Sequence, residues 1–290
     1  MTILRENTDA YHLSVPETIG TALVFASPHS GRAYGKTFRN MSILDEHALR
    51  SSEDAYVDLL LEALPQIGAP LICASAPRAF VDLNRAPEEL DPALIAGARS
   101  RGLNPRITSG LGVIPRVVAH SQPIYRGKLS LQDAEQRIAE YWTPYHTKLA
   151  DLLERTRTLW GYSVLLDMHS MPHEAVSQIK PTSKRPDIII GDRFGASASQ
   201  PIVLELEQAL MAEGFKVARN APFAGAYITQ RYGRPSSHQH AIQIEIDRSL
   251  YLDEARIEPS GQFEDVKSRL TRAFETLIEA HGDLTSLAAE

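Results

Sequence analysis

The chain has a single cysteine, Cys73, in 290 residues, so no intrachain disulfide can staple it. Cys73 lies in APLICASAP, which reads as a strand, and its apolar surroundings make it a buried small hydrophobe rather than a nucleophile. No apolar run approaches the roughly 18 residues of a bilayer-crossing helix. The opening MTILRENTDAYHLS has no basic segment followed by an apolar one. Basic charge is also scarce: 30 Lys and Arg against 36 Asp and Glu give a net charge of −6, which argues against nucleic acid or an anionic membrane as partner. The expectation is a cytoplasmic enzyme in a reducing compartment, with homo-oligomerisation left open.

Several motifs are missing as well. No G-x-S-x-G elbow surrounds a serine, and there is no Walker A loop. PHEAVS begins like H-E-x-x-H but ends in Ser177, and GLGVIP at Gly110 is half a dinucleotide fingerprint without its preceding strand.

What is present is an ordinary globular composition, 43% hydrophobic and 23% charged. Strand-like runs recur at Thr21–Ser27, Ala69–Ser75, Tyr162–Met168, Asp187–Gly191, Phe215–Arg219 and Ala241–Ile246. Helix-period segments span Glu46–Leu64, Leu131–Arg157, Ser199–Glu213 and Gly261–His281. Ser130 and Gly161 bracket the second as N-cap and stop, and Pro144 should kink or divide it. The alternation predicts an α/β fold with a mixed, mostly parallel sheet flanked by helices. Residues 1–290 show no linker composition, so one domain is expected. The Pro/Gly-rich stretch Ala86–Gln122 is weakly periodic, and a loop of that length is usually functional.

Two strands run into histidines. TALVFASPHSG delivers His29, and YSVLLDMHSMP delivers Asp167 and His169. Strand ends in open α/β sheets are where ligands bind, and two neutral imidazoles converging there suit a metal such as zinc. Asp167 is either a turn residue or the orienting partner of a histidine ring. Glu53 and Asp54 in LRSSEDAYVDLL are candidate acidic ligands, against the alternative that they stabilise the first turn of a helix. RAFVDLNRAP clusters Asp82, Asn84 and Arg85 at the end of another short strand, a set suited to gripping a substrate carboxylate. HQHAIQIEIDRSLY alternates, placing Gln243, Glu245 and Asp247 on one face. If that face meets the crevice, Glu245 is a general base and Gln243 a substrate contact.

Taken in order, SPHSG, SSEDAYVDLL, DLNRAPEELDP, LLDMHS, NAPFAGAYIT and HAIQIEIDRSLY resemble the N-formylglutamate amidohydrolase family from about Val24 to Asp253. The resemblance implies a three-layer sandwich like that of the zinc carboxypeptidases and aspartoacylase-like deacylases (phosphorylase/hydrolase-like). It implies one zinc ion held by His29, His169 and an acidic residue of SSED, with Asp54 favoured over Glu53. Arg32 stands where the carboxypeptidase pattern has its acidic ligand. It further implies Glu245 as general base and acid, and Asn84 with Arg85 as the carboxylate grip. Arg116 and Arg126 are then candidates for oxyanion stabilisation, and Tyr227 and Thr229, with Asn220, for substrate contacts on a segment that bends at Gly225 and Gly233. The implied reaction is hydrolysis of N-formyl-L-glutamate, an N-acyl amino diacid, to formate and glutamate in histidine degradation. The alternatives are deacylation of another N-acyl amino acid or short peptide, and a non-catalytic metabolite-binding member of the fold.

Overall fold

The apolar runs of the sequence become strands because both of their faces are covered. The computed structural model describes residues 2–99, 104–177 and 185–282. Strands β1 (Ile3–Asn7), β2 (Tyr11–Pro16), β3 (Leu23–Ser27) and β4 (Leu71–Ala74) form one side of the main sheet. The short β5 (Ile95–Ala96) and β6 (Leu129–Ser130) pair apart from it. Strands β7 (Ser163–Met171), β8 (Ile188–Gly191), β9 (Val217–Arg219) and β10 (Gln239–Asp247) complete the main sheet, and β11 (Leu252–Asp253) pairs with β12 (Glu258–Pro259). The eight-stranded order is β1-β2-β4-β3-β7-β10-β8-β9. Strands β4, β3, β7 and β10 run parallel through its middle, while the β1–β2, β2–β4 and β10–β8 pairs are antiparallel.

The helices are α1 (Lys36–Met41), α2 (Glu46–Arg50), α3 (Val57–Leu60), α4 (Pro105–Thr108), α5 (Leu131–Arg137), α6 (Thr143–Trp160), α7 (His173–Ser177), α8 (Gln200–Ala212), α9 (Tyr227–Tyr232) and α10 (Phe263–Ala280). Strand alternation sends Val24, Ala26, Leu165 and Ala241 to one face, where they pack with Tyr145, Leu149 and Leu152 of α6 and Ile228 of α9. Leu23, Phe25, Leu166, Met168, Ile242 and Ile244 face the other way, onto α3, α8 and α10. Helices thus cover both faces of a mixed sheet, the layering expected when parallel strands are buried on both sides.

The differences from the sequence reading have local causes. The segment Glu46–Leu64 is not one helix: α2 and α3 flank a turn in which Tyr56 is left-handed at φ 63°. RAFVDLNRAP holds no strand; it is a chain of turns pinned where the Asp82 amide donates to the Val113 carbonyl at 2.8 Å. β7 runs on through His169 to Met171 because all nine of its residues are buried, so Asp167 and His169 are strand residues. The β1–β2 hairpin, with β1 largely exposed, carries too little apolar signal to stand out. Pro144 falls in the first turn of α6, after a π-helical turn over Ile138–Trp142 that joins it to α5. Within Ala86–Gln122, residues 100–103 lie outside the described residues; the rest holds α4, β5 and short turns.

Candidate active site

Four segments meet at the carboxyl ends of β3, β7 and β10. β3 stops at Ser27 and delivers buried His29 two residues later. Gly31 then passes so close to the neighbouring chain that a Cβ there would lie 2.1 Å from the Ala76 carbonyl oxygen. Close approach, rather than an unusual backbone angle, demands the glycine. The Asp54 amide donates to the His29 carbonyl at 3.0 Å, which brings the turn between α2 and α3 against this loop. β7 and β10 pair in parallel register with Asp167 beside Gln243 and His169 beside Glu245. Register neighbours project from the same face, so the polar side of β10 looks into a cleft instead of solvent.

The cleft encloses about 520 Å³ and includes His29, Asp54, Arg78, His169, Glu245 and Arg248 in its wall. His29 Nδ1 and His169 Nδ1 are 3.1 Å apart, and Asp54 Oδ2 lies 3.4 and 3.0 Å from them respectively. On their far sides, His29 Nε2 donates to Asp82 Oδ1 at 2.7 Å, and His169 Nε2 lies 3.0 Å from Asp167 Oδ2 and 3.1 Å from Asn84 Nδ2. A carboxylate only accepts, so the bond to Asp82 puts a proton on His29 Nε2 and, in the neutral ring, turns the His29 Nδ1 lone pair inward, toward His169 Nδ1 and Asp54 Oδ2. Two ring nitrogens and a carboxylate oxygen at such range repel one another unless a proton or a cation lies between them. Three ligands about 2.0–2.1 Å from a tetrahedral ion would be about 3.3 Å apart, close to the spacings seen. Asp167 Oδ1 is buried without a hydrogen-bond partner among the described residues.

Electrostatics follow from the crowding. Burial works to raise Asp54, but its contacts with His169 and His29 hold it well below the usual carboxylate range. Asp82 behaves likewise, burial being outweighed by His29, Arg78 and Arg85. Burial lowers His169, yet Asp167 and Asp54 together push it well above the usual histidine range. Glu245 goes the other way: burial raises it to about 7, with His169 opposing and Asp54 assisting. Gln243 Nε2 donates to Glu245 Oε1 at 2.7 Å and fixes the carboxylate.

Not every residue singled out in the sequence reaches the cleft. Glu53 turns away, its carboxylate taken by the Tyr34 hydroxyl at 3.0 Å and by Arg50. Arg116 pairs with Asp91 through Nε at 2.8 Å, and Arg126 is exposed; neither lines the cleft, although Pro115 and Val117 on either side of Arg116 do. Tyr227 packs on Trp142 and His146, and the fully buried Thr229 donates to the Ala226 carbonyl, so their side chains serve α9. Asn220 binds Asp192. Pro222 to Ala226 do border the cleft. Asn84 and Arg85 line it, but the Asn84 amide is engaged internally: Oδ1 accepts from the Ile228 amide at 2.8 Å and Nδ2 lies 3.1 Å from His169 Nε2. Arg85 donates Nε to the Leu111 carbonyl and Nη1 to the Asn84 carbonyl. The sequence reading passed over Arg78 and Arg248. Arg78 bonds Asp82 through Nε at 3.2 Å. Its place six residues before Asn84, inside RAFVDLNR, was the available signal.

A His–Asp–His centre faced by a carboxylate and ringed by arginines, on the carboxyl edge of an α/β sheet, is the equipment of a hydrolase. The family model described as N-formylglutamate amidohydrolase matches residues 21–252. The chain is 30% identical over 240 residues to the N-formylglutamate deformylase of Pseudomonas aeruginosa, covering 80% of this chain and 82% of that protein. It is 29% identical over 262 residues to the N-formylglutamate deformylase of Pseudomonas putida, covering 89% and 91%. The crystal structure of N-formylglutamate amidohydrolase from Ralstonia eutropha JMP134 superposes with a TM-score of 0.88 at 32% identity, over 94% of this chain and 99% of that one. The chain belongs to the N-formylglutamate amidohydrolase family.

Proposed function

We propose that this enzyme hydrolyses the amide of N-formyl-L-glutamate to formate and L-glutamate with one bound divalent metal ion, zinc by the ligand set. The observation that carries the metal is the convergence of His29 Nδ1, His169 Nδ1 and Asp54 Oδ2, each histidine backed by its own carboxylate. When bound, the ion supplies Lewis acidity toward the formyl oxygen and acidifies water.

The protein's own groups do the rest. Glu245 takes a proton from the attacking water and returns it to the departing nitrogen, a task suited to a carboxyl held near neutrality. Gln243 keeps that carboxylate aimed. Arg78, with only Nε engaged among the described residues, turns the remainder of its guanidinium to the developing oxyanion, the part earlier considered for Arg116 and Arg126. Arg85, held through Nε and Nη1, offers Nη2 to a substrate carboxylate, while Asn84 supports the site from behind. On this reading the described residues work as a single domain on a small-molecule substrate, in the cytoplasm and in histidine degradation. No helix among the described residues is long and apolar enough to cross a membrane.

The test is metal content by mass spectrometry together with N-formylglutamate hydrolysis, on wild type, His29→Ala and His169→Ala. Near-stoichiometric metal in wild type, lost with activity in both variants, is expected. Wild-type protein that stays inactive and metal-free after zinc is added would sink the proposal.

A further inference from the structure

Arg248 immediately follows β10 and is 7% exposed. Its guanidinium reaches three segments at once. Nη2 donates to Asp54 Oδ1 at 2.9 Å, Nε to the Ser170 hydroxyl at 3.0 Å, and Nη1 to the Ser51 carbonyl at 3.3 Å. The turn that carries Asp54, the end of β7 beside His169 and the end of β10 beyond Glu245 are thereby fixed to one planar group.

The division of labour at Asp54 is the informative part. Oδ2 faces the two imidazoles, whereas Oδ1 is occupied by Arg248 and lies 3.4 Å from the Ser170 hydroxyl. A carboxylate with both oxygens unrestrained can close on a cation in bidentate fashion. One whose second oxygen is bound to a guanidinium offers a single ligand atom. Lysine could not reproduce this, because a point ammonium lacks the fork that reaches Ser170 and Asp54 in one plane.

We propose that Arg248 is a positioning residue that restricts Asp54 to one-oxygen ligation and so preserves an open coordination position for the reacting molecule. The inference rests on the metal reading above, and its test separates the two. Metal-free wild type, Arg248→Lys and Arg248→Gln are titrated with Co²⁺ against a chromophoric chelator. Absorption spectra and the thermal midpoints of the metal-free proteins are recorded alongside. In Arg248→Lys, which keeps the charge, the Co²⁺ dissociation constant should rise about 10- to 100-fold. In both variants the visible bands should weaken as Asp54 adds its second oxygen and the ion leaves tetrahedral geometry. Variants that keep the wild-type dissociation constant and spectrum, whatever their thermal midpoints, would overturn the assignment and leave Arg248 a structural staple. Wild type that takes up neither Co²⁺ nor Zn²⁺ would overturn the metal reading and this inference with it. Should Arg248→Gln fail to fold, Arg248→Lys decides the matter.

Discussion

Glu245 sits beside His169 in register and receives a hydrogen bond from Gln243, so Glu245→Gln preserves volume while removing the proton acceptor. Activity on N-formylglutamate should fall about 100- to 10,000-fold with metal content unchanged; steady-state kinetics and metal analysis on the same sample check this. Asp82 acts one bond further out, holding His29 at Nε2. Asp82→Ala should weaken metal binding about 10- to 100-fold, read by chelator competition. At this scale the placement of His29, His169 and Glu245 in the cleft was legible because each sits at or near the end of an apolar strand, where a polar side chain needs a reason. The choice between Asp54 and Glu53 was not legible from spacing alone. It depends on a tertiary bond, from the Asp54 amide to the His29 carbonyl, and on Tyr34 and Arg50 capturing the neighbouring carboxylate. Arg248 lacked any local oddity, and only its distant partners Asp54, Ser170 and Ser51 give it meaning, whereas Arg78 pairs with Asp82 four residues on.

Among elements, the loop after β3 is the tightest fit. Gly31→Ala would press a methyl onto the Ala76 carbonyl and displace the loop that carries His29. A loss of about 1–3 kcal/mol is expected, measured by urea denaturation, together with weaker metal binding. The strands of the sheet's middle were readable from their apolar runs, and α8 and α10 from their periodicity. The break between α2 and α3 was not, since the amphipathic pattern continues across it while Tyr56 adopts a left-handed backbone. The exposed β1 and the turns of RAFVDLNRAP show the reverse failure, in which pairing or tertiary bonds decide what composition leaves open.

For the whole molecule, layering followed from the alternation of strand and helix signals, but the neighbour order of strands did not, because it is set by crossovers. One group gives a global prediction. His146 on α6 donates Nε2 to the Leu83 carbonyl at 2.8 Å and meets the Tyr232 hydroxyl at 2.9 Å, joining α6, the Asp82–Arg85 loop and α9. Burial lowers its pKa from 6.5 to about 4, with the Leu83 bond opposing. A histidine depressed in the fold favours the unfolded chain as protons are added. Its contribution is therefore intact above pH 6.5 and declines as pH falls toward about 4, by on the order of 3 kcal/mol. Urea midpoints of wild type and His146→Gln at pH 7 and pH 4.5 should show a smaller pH-dependent loss in the variant.

The position of β10 has a further consequence, for synthesis. This strand follows β8 and β9 in the chain, yet it lies between β7 and β8 in the sheet. A nascent chain that has emerged only as far as β9 carries two unsatisfied strand edges, on β7 and on β8, that await the same insert. It also lacks Glu245 and the guanidinium that holds Asp54. Closure of the sheet and completion of the site therefore both await β10. A chain cut before Gln239 would keep both edges open and its site unfinished.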